Sequence, residues 1–124
     1  MSLAEVPFFT VPQVPAMPAN HDTLKVRVAV RNSNLAYLRK KRVRMVAWKM
    51  YLSVTEIDNR IHQLRVINRV DRELTYWYRK EDWKIQQGTR DAITSVEIFA
   101  KRGELINKFN YQFSKEAEAK LCQS

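Results

Sequence analysis

The sequence predicts an α+β fold, a single domain built on an antiparallel, hairpin-rich sheet with one or two short helices. Apolar residues occupy every second position from Leu24 to Val30, and the other face carries Lys25, Arg27 and Arg31, a pattern typical of a half-buried strand. Nineteen Val and Ile residues outnumber nine Leu residues, and thirteen residues are aromatic, a composition that favours strands. The alternative is a mostly α-helical bundle, because apolar residues from 46 to 74 also recur at steps of three and four.

The first 22 residues are predicted to form an extended N-terminal arm. All four prolines lie there, and each proline fixes its own φ and favours extended backbone before it. Apolar residues such as Phe8, Phe9 and Val11 make the segment too hydrophobic for a solvated linker. We expect the arm to pack on its own domain or to dock on a neighbouring subunit of a homo-oligomer. Residues 23–124 are predicted to form one basic globular domain.

The first predicted strand covers residues 23–31, and a short helix or turn follows it with Asn32 or Ser33 as N-cap. Another strand is predicted over residues 42–55, where apolar residues also alternate. In the first strand, one face carries Leu24, Val26, Val28 and Val30, and the other carries Lys25, Arg27 and Arg31. We therefore expect this strand to bury an apolar face and to expose a cationic one.

A hairpin is predicted over residues 93–113. A two-residue loop at residues 102–103 places Glu97 opposite Lys108 and places apolar residues opposite one another. Cross-strand pairs of both kinds stabilise a sheet by about 0.2–1 kcal/mol each. After this hairpin, Ser114 is the candidate N-cap of a short C-terminal helix.

A second hairpin is predicted around a loop at residues 80–81. In this register Trp77 lies across from Lys84 and points away from Tyr76 and Tyr78. An exposed aromatic ring beside a cation can stack on an unpaired base. Trp77 and Lys84 are therefore candidate nucleic-acid-binding residues, unless a second layer of the protein covers the Trp77 ring.

The positive charge is concentrated in one third of the chain. The formal net charge is +9, and no acidic residue lies between Asp22 and Glu56. Charge segregated in this way produces a positive field that attracts polyanions, such as nucleic-acid backbones or anionic membranes. Residues 41–44, KRVR, also fit a short nuclear import signal. The candidate binding residues of this segment are Lys25, Arg27, Arg31, Arg39, Lys40, Lys41, Arg42, Arg44 and Lys49.

The sequence contains no catalytic or metal-binding motif that we can identify. His21 and His62 are far apart, and the single cysteine, Cys122, provides neither an internal disulfide nor a zinc-ligand spacing. Two glycines cannot supply a glycine-rich phosphate loop. We therefore predict a protein that is not an enzyme and uses no cofactor. With no secretory signal or membrane-spanning stretch recognised, we expect it in the cytoplasm or nucleus, or as a component of a virion.

These observations favour a non-enzymatic protein that binds RNA or single-stranded DNA, mainly through backbone phosphates. The alternative is a structural protein, such as a coat, matrix or scaffold subunit, that oligomerises through its arm and sheet. Such a subunit would turn its basic face toward nucleic acid or an anionic membrane. A small-ligand or peptide-binding module is a third, less favoured possibility, since only the aromatic content supports it.

Overall fold

The computed structural model describes the backbone of residues 21–123 and the side chains of residues 23–120. This part of the chain forms three α-helices and no strand. They are α1 (His21–Ala47), α2 (Tyr51–Gln86) and α3 (Ser95–Gln123). The predicted arm, residues 1–22, lies outside the described residues except for positions 21 and 22, whose backbone belongs to α1.

The predicted α+β fold and its antiparallel sheet are therefore wrong, and the alternative of a helical bundle fits the structure. Residues 23–31 show the error most directly. In α1, Leu24 is fully buried, whereas Val26 and Val30 are 63% and 56% exposed. On a helix, side chains two positions apart point in very different directions, so an alternating pattern cannot keep them on one face.

The predicted strand over residues 42–55 is also wrong, because this segment contains the end of α1 and the start of α2. Lys49 adopts a left-handed backbone conformation, with φ of 57°. The Met50 N–H donates to the Met45 carbonyl at 2.9 Å, and the Lys49 N–H donates to the Val46 carbonyl at 3.0 Å. This pair of hydrogen bonds is the Schellman motif, which satisfies the last carbonyls of a helix and ends it.

Both predicted hairpin loops lie in the interior of helices, residues 80–81 in α2 and residues 102–103 in α3. The short helices predicted to begin at Asn32 or Ser33 and at Ser114 are likewise interior segments of longer ones. The hairpins over residues 73–113 are thus corrected to one long helix, a connection over residues 87–94, and a second long helix.

Gly88 ends α2 with a Schellman motif, as Lys49 does at the end of α1. Its φ is +75°, its N–H donates to the Ile85 carbonyl, and the Thr89 N–H donates to the Lys84 carbonyl, both at 3.0 Å. Glycine has no Cβ and adopts this conformation without steric cost.

Thr94 and Glu97 form a capping box at the start of α3. The Glu97 N–H donates to the Thr94 hydroxyl at 3.2 Å, and the Thr94 N–H donates to the Glu97 carboxylate at 3.3 Å. Arg90 adds ion pairs to Glu81 at 2.8 Å and to Glu97 at 2.6 Å. This arginine holds the pKa values of both carboxyls below their usual range. The ion pairs tie the end of α2 to the first turn of α3.

The long central helix α2 forms the middle of the bundle, with both α1 and α3 packed against it in antiparallel directions. None of the described helices has an apolar stretch long enough to cross a membrane. The buried core draws on all three helices and comprises Leu24, Val66, Ile67, Val70, Leu74, Tyr78, Leu105, Ile106 and Phe109.

Candidate nucleic-acid interface

A line of arginine and aromatic side chains runs along α2. Successive members are separated by four, three, four, three and four residues, the spacing that keeps side chains on one helix face. From first to last the line covers about 27 Å of helix. We call this set the basic stripe; its members are Arg65, Arg69, Arg72, Tyr76, Arg79 and Trp83.

The basic stripe is accessible to solvent. Tyr76 and Trp83 are 64% and 61% exposed, and the arginines are exposed except for Arg65, which is half-buried. These side chains lie outside the buried core, although Arg65 and Arg69 contact aromatic rings of α3.

A cavity of about 440 Å³ opens where the stripe meets α1 and α3. Four arginines line it, Arg39 from α1 and Arg65, Arg69 and Arg72 from α2. No carboxylate is among its lining residues, which makes it a site of positive potential bounded by protein walls. The other lining residues are Asn32, Leu35, Asn68, Gln112 and Phe113.

A smaller cavity of about 220 Å³ adjoins the first, because Arg72 lines both. It adds Lys25 from α1 and Tyr76 and Arg79 from α2, and its lining again contains no carboxylate. The two cavities together form a cationic groove between α1 and α2 that also reaches α3, and every member of the stripe except Trp83 lines it. We call it the basic groove.

Two arginines of the stripe are held in place by neighbours on α2 and α3. The Arg65 guanidinium lies 4.4 Å from the centre of the Phe113 ring and 3.7 Å from the Glu116 carboxylate. Arg69 forms an ion pair with Glu73 at 3.3 Å. Ion pairs this exposed contribute about 0–1 kcal/mol, so a phosphate can replace the carboxylate at small cost.

Arg72 and Arg79 differ from these two, because neither forms an ion pair within the described part of the chain. Both are exposed, and both line the basic groove. They are therefore the cations of the stripe best placed to bind an external anion.

The structure separates the eleven residues that the sequence predicts as binding residues. Lys25 and Arg39 line the basic groove. Lys40 and Arg44 are exposed and, being four residues apart, share a face of α1. The cationic block of residues 39–44 is thus distributed around the helix and does not form one continuous surface.

Two of the other predicted cations form ion pairs within the protein. Arg31 donates to the Asp71 carboxylate, and Arg42 donates to the Asp58 carboxylate at 2.5 Å. The hydrogen bond to Asp58 raises the pKa of Arg42. Arg27 is half-buried, and so is Lys41, whereas Lys49 is exposed in the turn after α1. That these residues bind nucleic acid stays a prediction.

Trp77 and Lys84 were predicted as a binding pair because a hairpin would place them on neighbouring strands. That hairpin is wrong. The two residues lie on α2, two turns apart. Trp77 is half-buried against the core, with its ring centre 5.4 Å from that of Tyr78. Lys84 forms an ion pair with Glu81 at 3.2 Å. The exposed aromatic residues of this region are Tyr76 and Trp83.

The basic stripe is absent from the sequence-based predictions. Residues 56–124 carry thirteen basic and eleven acidic side chains, so this segment is nearly neutral when charge is summed along the chain. On a helix, the basic and acidic residues of one segment can lie on different faces, so a nearly neutral segment can still carry a positively charged face. The signal that could have found the stripe is the alternating step of three and four between its arginines, read on the helical alternative.

The described side chains contain no cluster of histidine, cysteine and carboxylate residues that could hold a metal ion. His62 is buried and forms a 2.7 Å hydrogen bond with the Asn110 side chain across the α2–α3 interface. Burial lowers its pKa, against the effect of the Asn110 hydrogen bond. This histidine therefore belongs to the packing of α3 on α2, outside the lining of the basic groove.

No family model, no curated protein and no solved structure matches this chain.

Proposed function

We propose that the protein binds single-stranded nucleic acid, RNA or DNA, along the basic groove and catalyses no reaction. The observation that supports this proposal is the basic stripe, in which four arginines and two exposed aromatic side chains share one face of α2. Each residue type contributes a different interaction with a nucleic-acid strand.

The arginines bind the backbone. A guanidinium presents a planar set of donors that matches two phosphate oxygens, and it remains charged at every physiological pH. Arg65, Arg69 and Arg72 recur at about one helical turn, roughly 5.4 Å, and Arg79 follows two turns later, so they can engage several phosphates of one strand. Lys25 and Arg39 add positive charge from the opposite wall.

The aromatic residues favour unpaired over paired nucleic acid. Tyr76 and Trp83 expose most of their surface and are flanked by Arg72, Arg79 and Lys80 in the sequence. Base stacking on an aromatic side chain contributes about 1–3 kcal/mol per base, and it requires a base that is not already stacked in a duplex. We therefore expect tighter binding of a single strand than of its duplex.

The test compares two double variants that remove the same charge. Fluorescence anisotropy measures the affinity for a labelled single-stranded oligonucleotide over a range of salt concentrations. Arg72→Ala with Arg79→Ala should weaken binding to all sequences alike. It should also lower the magnitude of the slope of log K against log salt by about 1.4, since each phosphate contact on a single strand contributes about 0.7.

The control is Lys40→Ala with Arg44→Ala on the outer part of α1, which should leave the salt slope unchanged. If this control lowers the slope and the groove variant does not, the cationic block of residues 39–44 is the binding site and the groove is not. Absence of wild-type binding at low salt would reject nucleic-acid binding altogether.

The aromatic contribution is tested separately. Replacing Tyr76 and Trp83 with Ala should reduce the affinity for a single strand without changing the salt slope, because stacking displaces no counterions. Tyr111→Ala is the control, since Tyr111 is equally exposed but lies on α3. A changed salt slope in the aromatic variant would indicate a disturbed backbone-binding site.

A structural or assembly role is the second candidate function, and exposed apolar side chains favour it. Val96 and Phe99 on α3 are 76% and 74% exposed, and Val26, Val30 and Tyr37 are exposed on α1. Contiguous exposed apolar surface is typical of association sites, and Val96 with Phe99, like Val26 with Val30, lies on one face of its helix. Light scattering on the full chain over a range of concentrations tests this candidate, and a monomer throughout would reject it.

A further inference from the structure

The turn between α1 and α2 carries a cluster of exposed apolar side chains that nucleic-acid binding leaves unexplained. Leu52 is 85% exposed and Trp48 is 70% exposed. We call the cluster the apolar tip; it consists of Val43, Val46, Trp48, Met50, Tyr51 and Leu52. None of these residues lines the basic groove.

The fold does not need these side chains to be apolar. Backbone hydrogen bonds close the turn, since Trp48, Lys49 and Met50 all donate to carbonyls of the last turns of α1. The first turn of α2 is also held by its backbone, with the Val54 N–H donating to the Met50 carbonyl at 3.1 Å. Large apolar side chains at an exposed turn lower solubility, so their presence favours a contact beyond the described residues.

Most charges around the apolar tip are positive, although Glu56, one turn after Leu52, is exposed and negative. Lys40, Arg44 and Lys49 are exposed, and the sequence contains no acidic residue between positions 23 and 55. The neighbouring carboxylate of Asp58 is already engaged by Arg42. The contacting surface should therefore combine an apolar interior with negative charge at its boundary.

We propose that the apolar tip inserts into an anionic lipid surface. Leu52, Val43 and Met50 would enter the acyl region, while Trp48 and Tyr51 would lie at the headgroup level, where amphipathic rings are favoured. The three exposed cations would contact lipid phosphates and carboxylates, each adding to the attraction. The tip lies at the end of a helix pair and the basic groove along its side, so the two sites use different residues.

Co-sedimentation of the full chain with vesicles tests this proposal. Vesicles of phosphatidylcholine containing phosphatidylserine should bind the wild type, and vesicles of phosphatidylcholine alone should bind it much less. Trp48→Ala with Leu52→Ser should reduce partitioning of the protein onto the vesicles by about tenfold or more, because the variant lacks two apolar side chains that would be buried in the lipid. Phe99→Ser, an equally exposed apolar position on α3, should leave partitioning unchanged.

Two further variants separate the lipid surface from other partners. Lys40→Ala with Arg44→Ala should weaken binding to anionic vesicles, and added salt should remove the difference from the wild type. Arg72→Ala with Arg79→Ala should keep vesicle binding, and its loss would place lipid in the basic groove and overturn the proposal. Wild-type protein that stays in solution with anionic vesicles would also overturn it.

A second copy of this chain is another candidate occupant of the apolar tip. Light scattering without vesicles distinguishes it. If Trp48→Ala with Leu52→Ser lowers the molar mass of the protein, the tip is an interface between copies and the lipid proposal is wrong. An unchanged mass together with reduced vesicle binding supports insertion into lipid.

Discussion

The Arg31 guanidinium of α1 donates a hydrogen bond to the Asp71 carboxylate of α2 in the interior of the bundle. Arg102 of α3 is also buried nearby, at 3% exposure. Burial lowers the pKa of Arg102, Asp71 opposes that shift, and the charges of Arg27 and Arg31 add to it. One carboxylate therefore faces cations from two other helices.

Asp71→Asn should lower the free energy of unfolding by about 3–5 kcal/mol, because it leaves buried cations without the charge that compensates them. Urea denaturation measures this loss. Asp58→Asn is the matched control, since it breaks a partly exposed ion pair with Arg42 and should cost about 0–1 kcal/mol. Equal losses in the two variants would show that the Asp71 cluster behaves as a surface pair.

Gly103→Ala should raise the free energy of unfolding by about 1 kcal/mol. Gly103 lies within α3, and a Cβ added there would meet nothing within 4 Å. Alanine is favoured over glycine in a helix interior by about 1 kcal/mol. Thermal denaturation followed by circular dichroism measures the change. A lower stability would contradict the helix at this position.

The helical bundle could be predicted from the sequence in part. The step of three and four between apolar residues 46 and 74 indicated α2. The start of α3 has an explicit signal, Thr94 followed three residues later by Glu97, which is a capping box. Gly88 just after the last apolar residues of α2 is an equally typical C-terminal signal. Reading these signals together would have favoured helices over hairpins.

The hairpin prediction failed because residues that it pairs across two strands also lie on one face of a helix. On one face of the predicted hairpin, a two-residue loop pairs residues that are three, seven and eleven positions apart, and these separations also place side chains on one side of a helix. Lys101 and Glu104, paired across the predicted loop, are 3.9 Å apart on α3. Complementary charges at these separations therefore cannot distinguish a hairpin from a helix.

The candidate site was less predictable than the fold. Lys25 and Arg39 were selected from the acid-free segment and do line the basic groove. Which other cations face the same groove depends on how α1 packs against α2, and local sequence does not specify that arrangement. Arg31 shows the consequence, because it was a binding candidate by sequence and is an internal ion-pair partner in the structure.

Lys49→Gly and Gly88→Ala should change stability in opposite directions. Both positions have positive φ at the end of a helix, 57° at Lys49 and 75° at Gly88. Glycine adopts this conformation freely, whereas a residue with a Cβ is disfavoured there by about 1 kcal/mol. Lys49→Gly should therefore raise the free energy of unfolding and Gly88→Ala should lower it, each by about 1 kcal/mol. Urea denaturation of both variants measures these changes. Changes of the same sign in the free energy of unfolding would contradict the prediction.

The last prediction concerns the pH dependence of stability, and it depends on His62. Burial lowers the pKa of this side chain, the charge of Arg65 acts in the same direction, and the Asn110 hydrogen bond opposes both. Below the usual histidine pKa of about 6.5, the unfolded chain binds a proton that the folded chain does not. The free energy of unfolding should therefore fall as pH drops below about 6.5, and it should level off below the folded-state pKa.

Glu81 and Glu97 contribute to the pH dependence of stability in a separate, more acidic pH range. Their pKa values are lowered, first of all by the hydrogen bonds from Arg90, so their contribution is complete above the usual glutamate pKa and is lost only in more acidic solution. Between about pH 7.5 and pH 5.5 the decline should therefore come from His62. His62→Gln keeps a side chain able to hydrogen-bond with Asn110 but cannot titrate, so its urea midpoint should stay constant across that range. If His62→Gln still loses stability across this pH range, another group is responsible for the titration.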